Sequence, residues 1–455
     1  MGGFQFLLIP SPQPLIPRNK KSGESMKIHT IFAIMGMASA LVLGSAYSVS
    51  AQTIPVQRKA HVGAAVRHRA SGVKKNVSTT PKSTVAKNTA TSKGTQNSRS
   101  PVVEVGLLSG SEVHFTGLAD FQAQSDGKTV DNYKNGSQLS ITRSGNQLLV
   151  NGKKAGGTVY FKSKQDGVAF SAKGNRYRGQ MKAVPSPWGS GITLVNVVSM
   201  EDYLQGVVPC EIVPSWRIDA IKAQAVAART YAMFHKNGYR SSGYDVTDDT
   251  RSQVYQGAGA ETEATNRAVR ETAGEIVTYG GKPIDAVFHS SGGGYTENCE
   301  NVWGSSIPYL KGVPEEKYAS PWTKTVSVSA FVNTLAGSGF KVKGIKLSKL
   351  RIGEAHTASD RGVSGRVKNV TLIGKNGNKT ISGDKIQSLY DLNSTLFDIS
   401  IKGNTITLTG YGYGHGLGLS QWGAEAMAEK QGDGKEFYKK ILTHYYSGTK
   451  VEKVY

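Results

Sequence analysis

The spacing of hydrophobic residues changes along the chain from period two to period three or four. Between about residues 102 and 198, short runs such as 138–142 and 147–150 alternate apolar and polar residues. Such alternation predicts half-buried β-strands. Asn151-Gly152 and Gly174-Asn175 are dipeptides typical of tight hairpin turns. The pattern therefore predicts a β-rich segment.

A helical pattern follows from Ile218 to Ala232, where good helix formers place apolar residues three or four positions apart in one stripe. Ser215 is the predicted N-cap, and Asp219 would favour the positive end of the helix dipole. Further helices are predicted at about 261–272, 420–430 and 435–446, with a hairpin over 275–289 and more strands between about 325 and 410. We therefore predict an α+β fold, in which a β-rich N-terminal module (101–198) joins a mixed α/β core (199–455).

The first 51 residues are interpreted as a leader. An apolar run at 30–46 follows Lys27 and precedes a Val49-Ser50-Ala51 sequence suited to signal peptidase. The run is shorter than the roughly 20 residues of a spanning helix. We therefore expect a cleaved signal peptide at 26–51, with translation starting at Met26, and keep a retained membrane anchor as the alternative.

Charge is concentrated after the leader. The chain carries a formal net charge of +22, of which residues 52–100 contribute ten basic and no acidic side chains. This segment has almost no large apolar residues and is predicted to be a disordered linker. It either spaces the domain or touches anionic wall polymer or membrane. Nucleic acid is not expected as a partner, because no binding motif accompanies the charge.

Three polar clusters carry the candidate chemistry. Residues 410–424 have glycines at alternate positions and present His415, Ser420 and Gln421, but their spacing is not that of a phosphate-binding loop. Residues 289–297 place His289, Ser290, Ser291, Gly293 and Glu297 just after a predicted strand. Residues 209–216 place Cys210 and Glu211 before the long helix.

These clusters resemble the SpoIID/LytB family of bacterial cell-wall proteins. The resemblance runs in family order over about 350 residues and rests on segments 177–179, 201–209, 211–216, 220–232, 249–255, 289–293, 364–367 and 414–424. It implies one of two functions. The SpoIID branch is a lytic transglycosylase that cleaves peptidoglycan glycan strands stripped of stem peptides. The LytB branch enhances an N-acetylmuramoyl-L-alanine amidase and would be a non-catalytic wall-binding protein.

Glu211 matches the family's catalytic glutamate, with Pro214 three residues later. A lytic transglycosylase needs one carboxyl group, which first protonates the glycosidic oxygen and then takes the proton of the sugar's own C6 hydroxyl. Such a group starts protonated, so an apolar setting should raise its pKa. The alternative role of Glu211 is to accept backbone hydrogen bonds at the start of the helix.

The remaining site candidates are predicted to contact substrate. Gln253 and Tyr255 would bind sugar hydroxyls or make turn hydrogen bonds. Glu297 and Glu300 would line the cleft and stabilise developing positive charge, or be ordinary surface carboxylates. His415 would orient substrate or support a tight loop. Trp303 or Trp422 would stack on a sugar or pack in the core. The full set of predicted substrate contacts is Gln253, Tyr255, His289, Ser290, Ser291, Gly293, Glu297, His415, Ser420 and Gln421.

No metal or other cofactor is expected. Some relatives that the resemblance brings in hold zinc with one histidine and two cysteines, but Tyr295 and Asn301 occupy the expected cysteine positions after His289. The chain has only two cysteines, so zinc would require Cys210, Cys299 and His289 to converge. A Cys210–Cys299 disulfide, two free thiols, or Cys210 as a nucleophile remain alternatives. The expected location is the periplasm or cell wall, with glycan strands and an amidase as partners.

Overall fold

The computed structural model describes residues 100–187, 189–316, 320–432 and 434–455. The predicted leader at 1–51 and all but the last residue of the predicted linker at 52–100 lie outside the described residues. Within the described part, no helix is both long and apolar enough to cross a lipid bilayer.

The predicted β-rich segment is confirmed as two antiparallel sheets. Its twelve strands are β1 Val102–Gly110, β2 Val113–Gly117, β3 Phe121–Ser125, β4 Lys128–Tyr133, β5 Gln138–Ser144, β6 Gln147–Val150, β7 Lys153–Gly156, β8 Val159–Ser163, β9 Val168–Ala172, β10 Asn175–Arg178, β11 Gln180–Pro185 and β12 Ile192–Ser199. One sheet has the order β1-β12-β11-β8-β3-β4, and the short strand Val246–Thr247 from later in the chain joins it in parallel beside β1. The other sheet has the order β10-β9-β2-β5-β6-β7. Aromatic rings fill the space between them, with Phe115 and Phe161 only 4.8 Å apart.

The two predicted hairpin turns fall close to their expected positions. Asn151 and Gly152 both have positive φ between β6 and β7, as the tightest hairpin turn requires. The second turn uses Lys173 and Gly174, one residue earlier than predicted. Asn175 is therefore the first residue of β10.

The rest of the chain alternates helices with short strands. The helices are α1 Met200–Glu211, α2 Ile218–Phe234, α3 Glu263–Glu271, α4 Cys299–Val302, α5 Val328–Ala336, α6 Gly383–Tyr390, α7 Gln421–Gln431 and α8 Phe437–Tyr445, with 3-10 turns at Arg240–Ser242 and Gly257–Gly259. The strands are β13 Val246–Thr247, β14 Glu275–Tyr279, β15 Lys282–Pro283, β16 Phe288–His289, β17 Trp322–Ser327, β18 Val342–Lys346, β19 Asn369–Gly374, β20 Gly377–Ser382, β21 Phe397–Lys402, β22 Thr405–Gly410, β23 Leu419–Ser420 and β24 Lys450–Lys453. The α+β prediction is confirmed. The predicted hairpin over 275–289 is shorter than expected, because β14 pairs with β15 over two residues and β16 pairs instead with β23.

Helix α2 is the centre of the fold. The prediction of a single buried stripe is wrong, because twelve of its seventeen residues are buried. Its many alanines let other elements pack closely around it. The predicted N-cap is also wrong, since helix α2 begins after Arg217, whose backbone N–H donates to the Glu425 carboxylate at 2.9 Å. Ser215 instead lies in the exposed turn before it.

Helix α1 was not predicted, because Gly206 and Pro209 lie inside it. Gly206 is needed there, since a Cβ at that position would lie 2.6 Å from the Tyr255 ring. Ser199 caps the first turn by accepting from the Asp202 N–H at 3.2 Å. Fully buried Arg229 of α2 pairs with Glu201 at 2.7 Å and fixes α1 against the central helix. Residues of both predicted modules share this hydrophobic core, so the boundary at residue 198 separates element types rather than cores.

Residues 321–410 build a second hydrophobic core. We call this segment the 321–410 module. It contains two three-stranded sheets, with the orders β17-β22-β21 and β18-β19-β20, and helices α5 and α6. Its core includes Phe331, Leu372, Phe397 and Leu408. The sequence predicted its strands but neither of its helices.

Candidate active site

Glu211 is the last residue of helix α1. Its side chain is half-buried, and Oε1 accepts a hydrogen bond from the Val254 N–H at 2.8 Å. The chain turns away directly after it, because Ile212 is extended and buried. The C-terminal end of a helix carries partial negative charge, which disfavours an ionised carboxylate. The fold therefore places a carboxyl group where its neutral form is favoured.

Burial raises the pKa of Glu211 to about 7, and the Val254 N–H offsets only part of that effect. The same environment acts on its neighbours. Burial and, to a smaller extent, the adjacent Glu211 charge raise the pKa of the Cys210 thiol to about 12. Cys210 is therefore a thiol at neutral pH, which argues against its role as a nucleophile. Glu211 is well suited to be protonated in a substantial fraction of molecules near pH 7.

A Glu211→Gln variant should be more stable than the wild-type protein at alkaline pH. The folded state binds the Glu211 proton up to about pH 7, whereas the unfolded chain loses it near pH 4.5. Stability of the wild-type protein therefore falls as the pH rises through this window, by on the order of 3 kcal/mol. Denaturant unfolding at pH 4 and pH 8.5 measures the difference. Equal stability of the two proteins at both pH values would contradict the raised pKa.

The loop that carries Val254 is held by residues that were predicted to bind sugar. Tyr203 Oη donates to Gln253 Oε1 at 3.1 Å, and Gln253 Nε2 donates to the Ala228 carbonyl at 3.3 Å. Tyr255 Oη donates to Asn196 Oδ1 at 2.7 Å. Gln253 and Tyr255 are both buried, and their polar groups bond to protein. Both side chains therefore make hydrogen bonds within the protein, as the alternative interpretation predicted. These bonds hold the loop whose Val254 N–H donates to Glu211.

The other two polar clusters meet beside this segment. Strands β16 and β23 pair in parallel, so His289 lies opposite Ser420. The backbone N–H of Trp422 donates to the Ser290 carbonyl at 3.0 Å. The Trp422 ring packs edge-on against the Trp216 ring, with 4.6 Å between the ring centroids. Since Trp216 lies five residues after Glu211, the three clusters predicted from sequence form one continuous region.

His289 and His415 support the glycine-rich loop. His289 Nδ1 donates to the Leu417 carbonyl at 3.0 Å, and His415 Nε2 donates to the Phe288 carbonyl at 3.1 Å. Burial and, to a smaller extent, the nearby Arg366 charge lower the pKa of His415 to about 4. Burial also holds the pKa of His289 well below its usual value. Both imidazoles are therefore neutral at physiological pH.

Glycines in this loop are required by close contacts. Gly416 and Gly418 have positive φ. A Cβ at Gly416 would lie 2.0 Å from the Arg366 guanidinium, and one at Gly418 would lie 2.2 Å from the Val287 carbonyl. The alternating glycines thus allow the loop to lie directly on its neighbours.

Most predicted substrate contacts are buried within these loops. Ser420 caps α7 by accepting from the Gly423 N–H at 3.2 Å, and Gln421 donates to Gln224 at 3.3 Å. Ser291 and Gly293 are also buried. Of the ten predicted contacts, only Ser290 and His415 are partly accessible. Trp303 is 48% exposed, with its ring 5.5 Å from His415, and is a further accessible group at this surface.

Glu297 is fully buried, so it is not the surface carboxylate of the alternative interpretation. Oε1 accepts from Asn298, Asn301 and Val363 at 2.8–2.9 Å, and Oε2 accepts from the backbone and side chain of Ser364 at 3.0 and 2.6 Å. These five donors occupy both oxygens. Glu297 therefore ties the 321–410 module to the loop that follows β16.

Two buried charged residues of this region were not predicted as site residues. Glu315 accepts from the Gly294 N–H at 3.1 Å, and burial raises its pKa. Arg366 is 2% exposed and contacts the Gly292 carbonyl at 3.4 Å. Burial lowers the pKa of Arg366 to about 10, although the charges of Glu297 and Glu315 oppose the shift. Arg366 lies in the 364–367 segment of the family resemblance, which was the available signal for it.

The described residues do not fit the zinc site that the family resemblance raised. Across the described residues, no group of three His, Cys, Asp or Glu side chains is arranged to hold a metal ion. Asn301, at one expected cysteine position, donates instead to Glu297. Both cysteines are free thiols, so neither the Cys210–Cys299 disulfide nor a three-ligand site with His289 is formed.

Comparison with known proteins shows the family to which this chain belongs. Residues 189–279 match the family model described as stage II sporulation protein, SpoIID, and residues 312–418 match a domain of unknown function, DUF8618. An uncharacterized protein of Brachyspira hyodysenteriae is 34% identical over 292 residues, which cover 63% of this chain and 74% of that protein.

Two Bacillus subtilis proteins also match. Stage II sporulation protein D is 36% identical over 273 residues, covering 56% of this chain and 75% of that protein. A protein named amidase enhancer is 32% identical over 290 residues, covering 54% of this chain and 40% of that protein. The chain therefore belongs to the SpoIID family, whose members are related in general terms to the bacterial cell wall.

Proposed function

We propose that this protein is an exported lytic transglycosylase that cleaves peptidoglycan glycan strands stripped of their stem peptides, with Glu211 as its catalytic residue. The observation that carries the proposal is the half-buried Glu211 carboxyl group, whose pKa is raised to about 7 at the end of α1. A general acid works best when its pKa lies near the working pH. Family membership supplies the cell wall as the place of action.

In the proposed reaction, protonated Glu211 donates its proton to the oxygen of the glycosidic bond as that bond breaks. The released sugar oxygen leaves as a hydroxyl, and positive charge develops at the anomeric carbon. Glu211 is now a carboxylate and accepts the proton of the C6 hydroxyl on the same N-acetylmuramic acid. That oxygen attacks the anomeric carbon and closes a 1,6-anhydro ring. The proton returned to Glu211 restores the starting state, and no water is consumed.

The surroundings of Glu211 support both halves of this cycle. Partial burial favours the neutral acid before bond cleavage, and the Val254 N–H stabilises the carboxylate that forms after it. Tyr231 of α2 lies close by, and burial raises the pKa of its phenol, with the charges of Asp285 and Glu211 adding to the rise. A neutral tyrosine can donate a hydrogen bond to substrate without competing for the proton.

The pH dependence of cleavage should have a single limb. The ratio kcat/KM should be level on the acid side and fall about tenfold per pH unit above a midpoint near 7, because only protonated Glu211 starts the reaction. Initial rates on peptide-free strands between pH 5 and 9 provide the profile. A bell-shaped profile would indicate separate acid and base groups and would contradict a one-carboxyl mechanism.

The similarity to a protein named amidase enhancer favours a second candidate function. In that case the protein would bind the wall and stimulate an N-acetylmuramoyl-L-alanine amidase without cleaving glycan itself. The two functions differ when the purified protein acts alone on peptide-free strands. Cleavage without amidase supports the transglycosylase. No cleavage alone, together with faster peptide release when amidase is added, supports the enhancer.

A further inference from the structure

The positive charge of the folded part is concentrated in the 321–410 module. Residues 101–455 contain 41 basic and 32 acidic side chains, a net charge of +9. The 321–410 module contains 13 basic and five acidic side chains, a net charge of +8. The rest of the folded part is therefore close to neutral. A charge difference of this size between parts of one chain is a feature of surfaces that meet a charged partner.

The lysine charges of the 321–410 module are not neutralised by ion pairs with described carboxylates. The two buried arginines of this module, Arg361 and Arg366, serve the interior, and Arg351 pairs with Glu354 at 2.8 Å. The other ten basic residues are lysines, and none forms an ion pair with a described carboxylate. Four of them, Lys341, Lys343, Lys346 and Lys349, lie within nine residues and are exposed.

One sheet of the module carries a face made almost entirely of hydroxyl groups. The buried side chains of Ile406 and Leu408 point to the core, so alternate positions of β22 and their register partners point outward. This outer surface, which we call the hydroxyl face, consists of Thr323, Thr325 and Ser327 on β17, Thr405, Thr407 and Thr409 on β22, and Asp398, Ser400 and Lys402 on β21. Three strands make it about 10 Å wide.

Lysines lie on and beside the hydroxyl face. Lys402 lies on it, in register with Thr405. A shallow cleft of about 310 Å³ joins the face to Lys349 and is lined also by Asp398, Ser400 and Thr407. The one acidic side chain of the face, Asp398, is paired with buried Arg361. The surface thus offers hydroxyls and positive charge together.

The hydroxyl face leads directly to the candidate active site. Strand β22 ends at Gly410, and the glycine-rich loop with His415 begins there. Backbone hydrogen bonds from Gly412 to the Ser320 carbonyl, at 3.1 Å, and between Ser291 and Tyr413 join this loop to both sides. The loop that carries His415 is therefore the direct continuation of the central strand of the hydroxyl face.

We propose that the 321–410 module binds glycan strands lacking stem peptides, and that its lysines recognise the lactyl carboxylates of those strands. Hydrolysis of the amide that joins the stem peptide to N-acetylmuramic acid adds water across that bond and leaves a carboxylate on the sugar. Every second sugar then carries a negative charge, next to hydroxyl and N-acetyl groups. The hydroxyl face supplies hydrogen-bond partners for the sugars. The bordering lysines supply the charges that distinguish a stripped strand from one with intact amides. This proposal rests on the proposed function for the identity of the polymer.

Binding measurements on the full-length chain test the proposal. A Lys346→Gln, Lys349→Gln, Lys402→Gln variant is compared with a matched variant that removes three exposed lysines of the β-rich module, Lys128→Gln, Lys154→Gln and Lys164→Gln. Both carry Glu211→Gln to prevent cleavage. The probes are amidase-stripped glycan strands, the same strands with their carboxylates converted to methylamides, and poly(glycerol phosphate).

The Lys346→Gln, Lys349→Gln, Lys402→Gln variant should bind stripped strands at least 10-fold more weakly than its parent, the Glu211→Gln protein. The affinity of the matched variant should stay within twofold of that parent. The parent should lose a similar factor on methylamidated strands. Equal losses in both lysine variants, or undiminished binding to methylamidated strands, would overturn the proposal. Loss of binding only to poly(glycerol phosphate) would also overturn it and assign the module to a phosphodiester polymer.

Cleavage rates of the proteins with Glu211 intact are measured separately. If binding depends on the lysines but the protein with intact Glu211 cleaves nothing, the proposed transglycosylase activity is rejected and the binding proposal stands. If the protein cleaves strands but binding does not depend on the lysines, only the binding proposal is rejected.

Discussion

Replacement of Glu211 by glutamine is expected to reduce cleavage of peptide-free glycan strands by about 1,000-fold or more. General acid catalysis contributes about 100- to 10,000-fold in enzymes, and Glu211 is proposed to act in both proton transfers of one cycle. Glutamine has nearly the same shape, and its carbonyl oxygen can still accept from the Val254 N–H. The fold should therefore survive while the proton donor is lost. Release of soluble fragments from strands, followed over time, measures the rate.

A matched control separates chemistry from charge. Glu263→Gln makes the same substitution at an exposed position of α3, where Glu263 pairs only with exposed Arg270. Its cleavage rate should equal that of the wild-type protein within twofold. Cleavage by Glu211→Gln at the wild-type rate would remove Glu211 from the mechanism. Equal losses in both variants would show that the effect is not specific to the site.

Replacement of Glu297 by glutamine should strongly destabilise the protein. Both oxygens of Glu297 accept hydrogen bonds from N–H or O–H groups, so an amide nitrogen at either position would face donors. Two or three bonds to a charged group would be lost, at about 1.5–3 kcal/mol each. Arg366 would also lose a nearby compensating charge. We expect a loss of roughly 4 kcal/mol and a fall in Tm of about 10 °C, measured by thermal unfolding.

Glu300→Gln is the matched control for this result. Glu300 lies three residues away and pairs with Lys311 at 3.0 Å, but both side chains are 36% exposed. Such pairs contribute about 0–1 kcal/mol, so Tm should change little. The contradicting result would be a Glu297→Gln protein that keeps the wild-type Tm and yet fails to cleave strands at temperatures well below that Tm. That result would show that Glu297 acts on the substrate directly, as predicted from the sequence.

Local patterns predicted much of the fold. Alternating residues predicted the strands of the β-rich segment, Asn151-Gly152 predicted a hairpin turn, and runs of helix formers predicted α2 and α7. The division of the strands into two sheets was not predicted. Helix α1 was missed because Gly206 and Pro209 are poor helix residues by themselves. Gly206 is explained only by the Tyr255 ring that lies against it. Contacts between residues far apart in sequence decide such positions, and periodicity does not reveal them.

The contacts of the candidate site residues could not be predicted for a similar reason. The family motifs singled out Glu211, His289 and His415, but they did not separate accessible side chains from those that build the loops. Glu297 is an example, because its partners Val363 and Ser364 lie more than 60 residues away. Arg366 and Glu315 drew no prediction, since their importance depends on burial. Charge counts over the whole chain also concealed the lysines of the 321–410 module, which became visible once its separate core was known.

The most direct test of the central claim is mass spectrometry of the strand ends produced by the purified protein in water enriched with oxygen-18. A one-carboxyl transglycosylase uses the C6 hydroxyl of the sugar as its nucleophile. We therefore expect 1,6-anhydro-N-acetylmuramic acid ends that contain no oxygen-18. Reducing ends that carry oxygen-18 would show that water attacks the anomeric carbon and would contradict the proposed role of Glu211 as both acid and base.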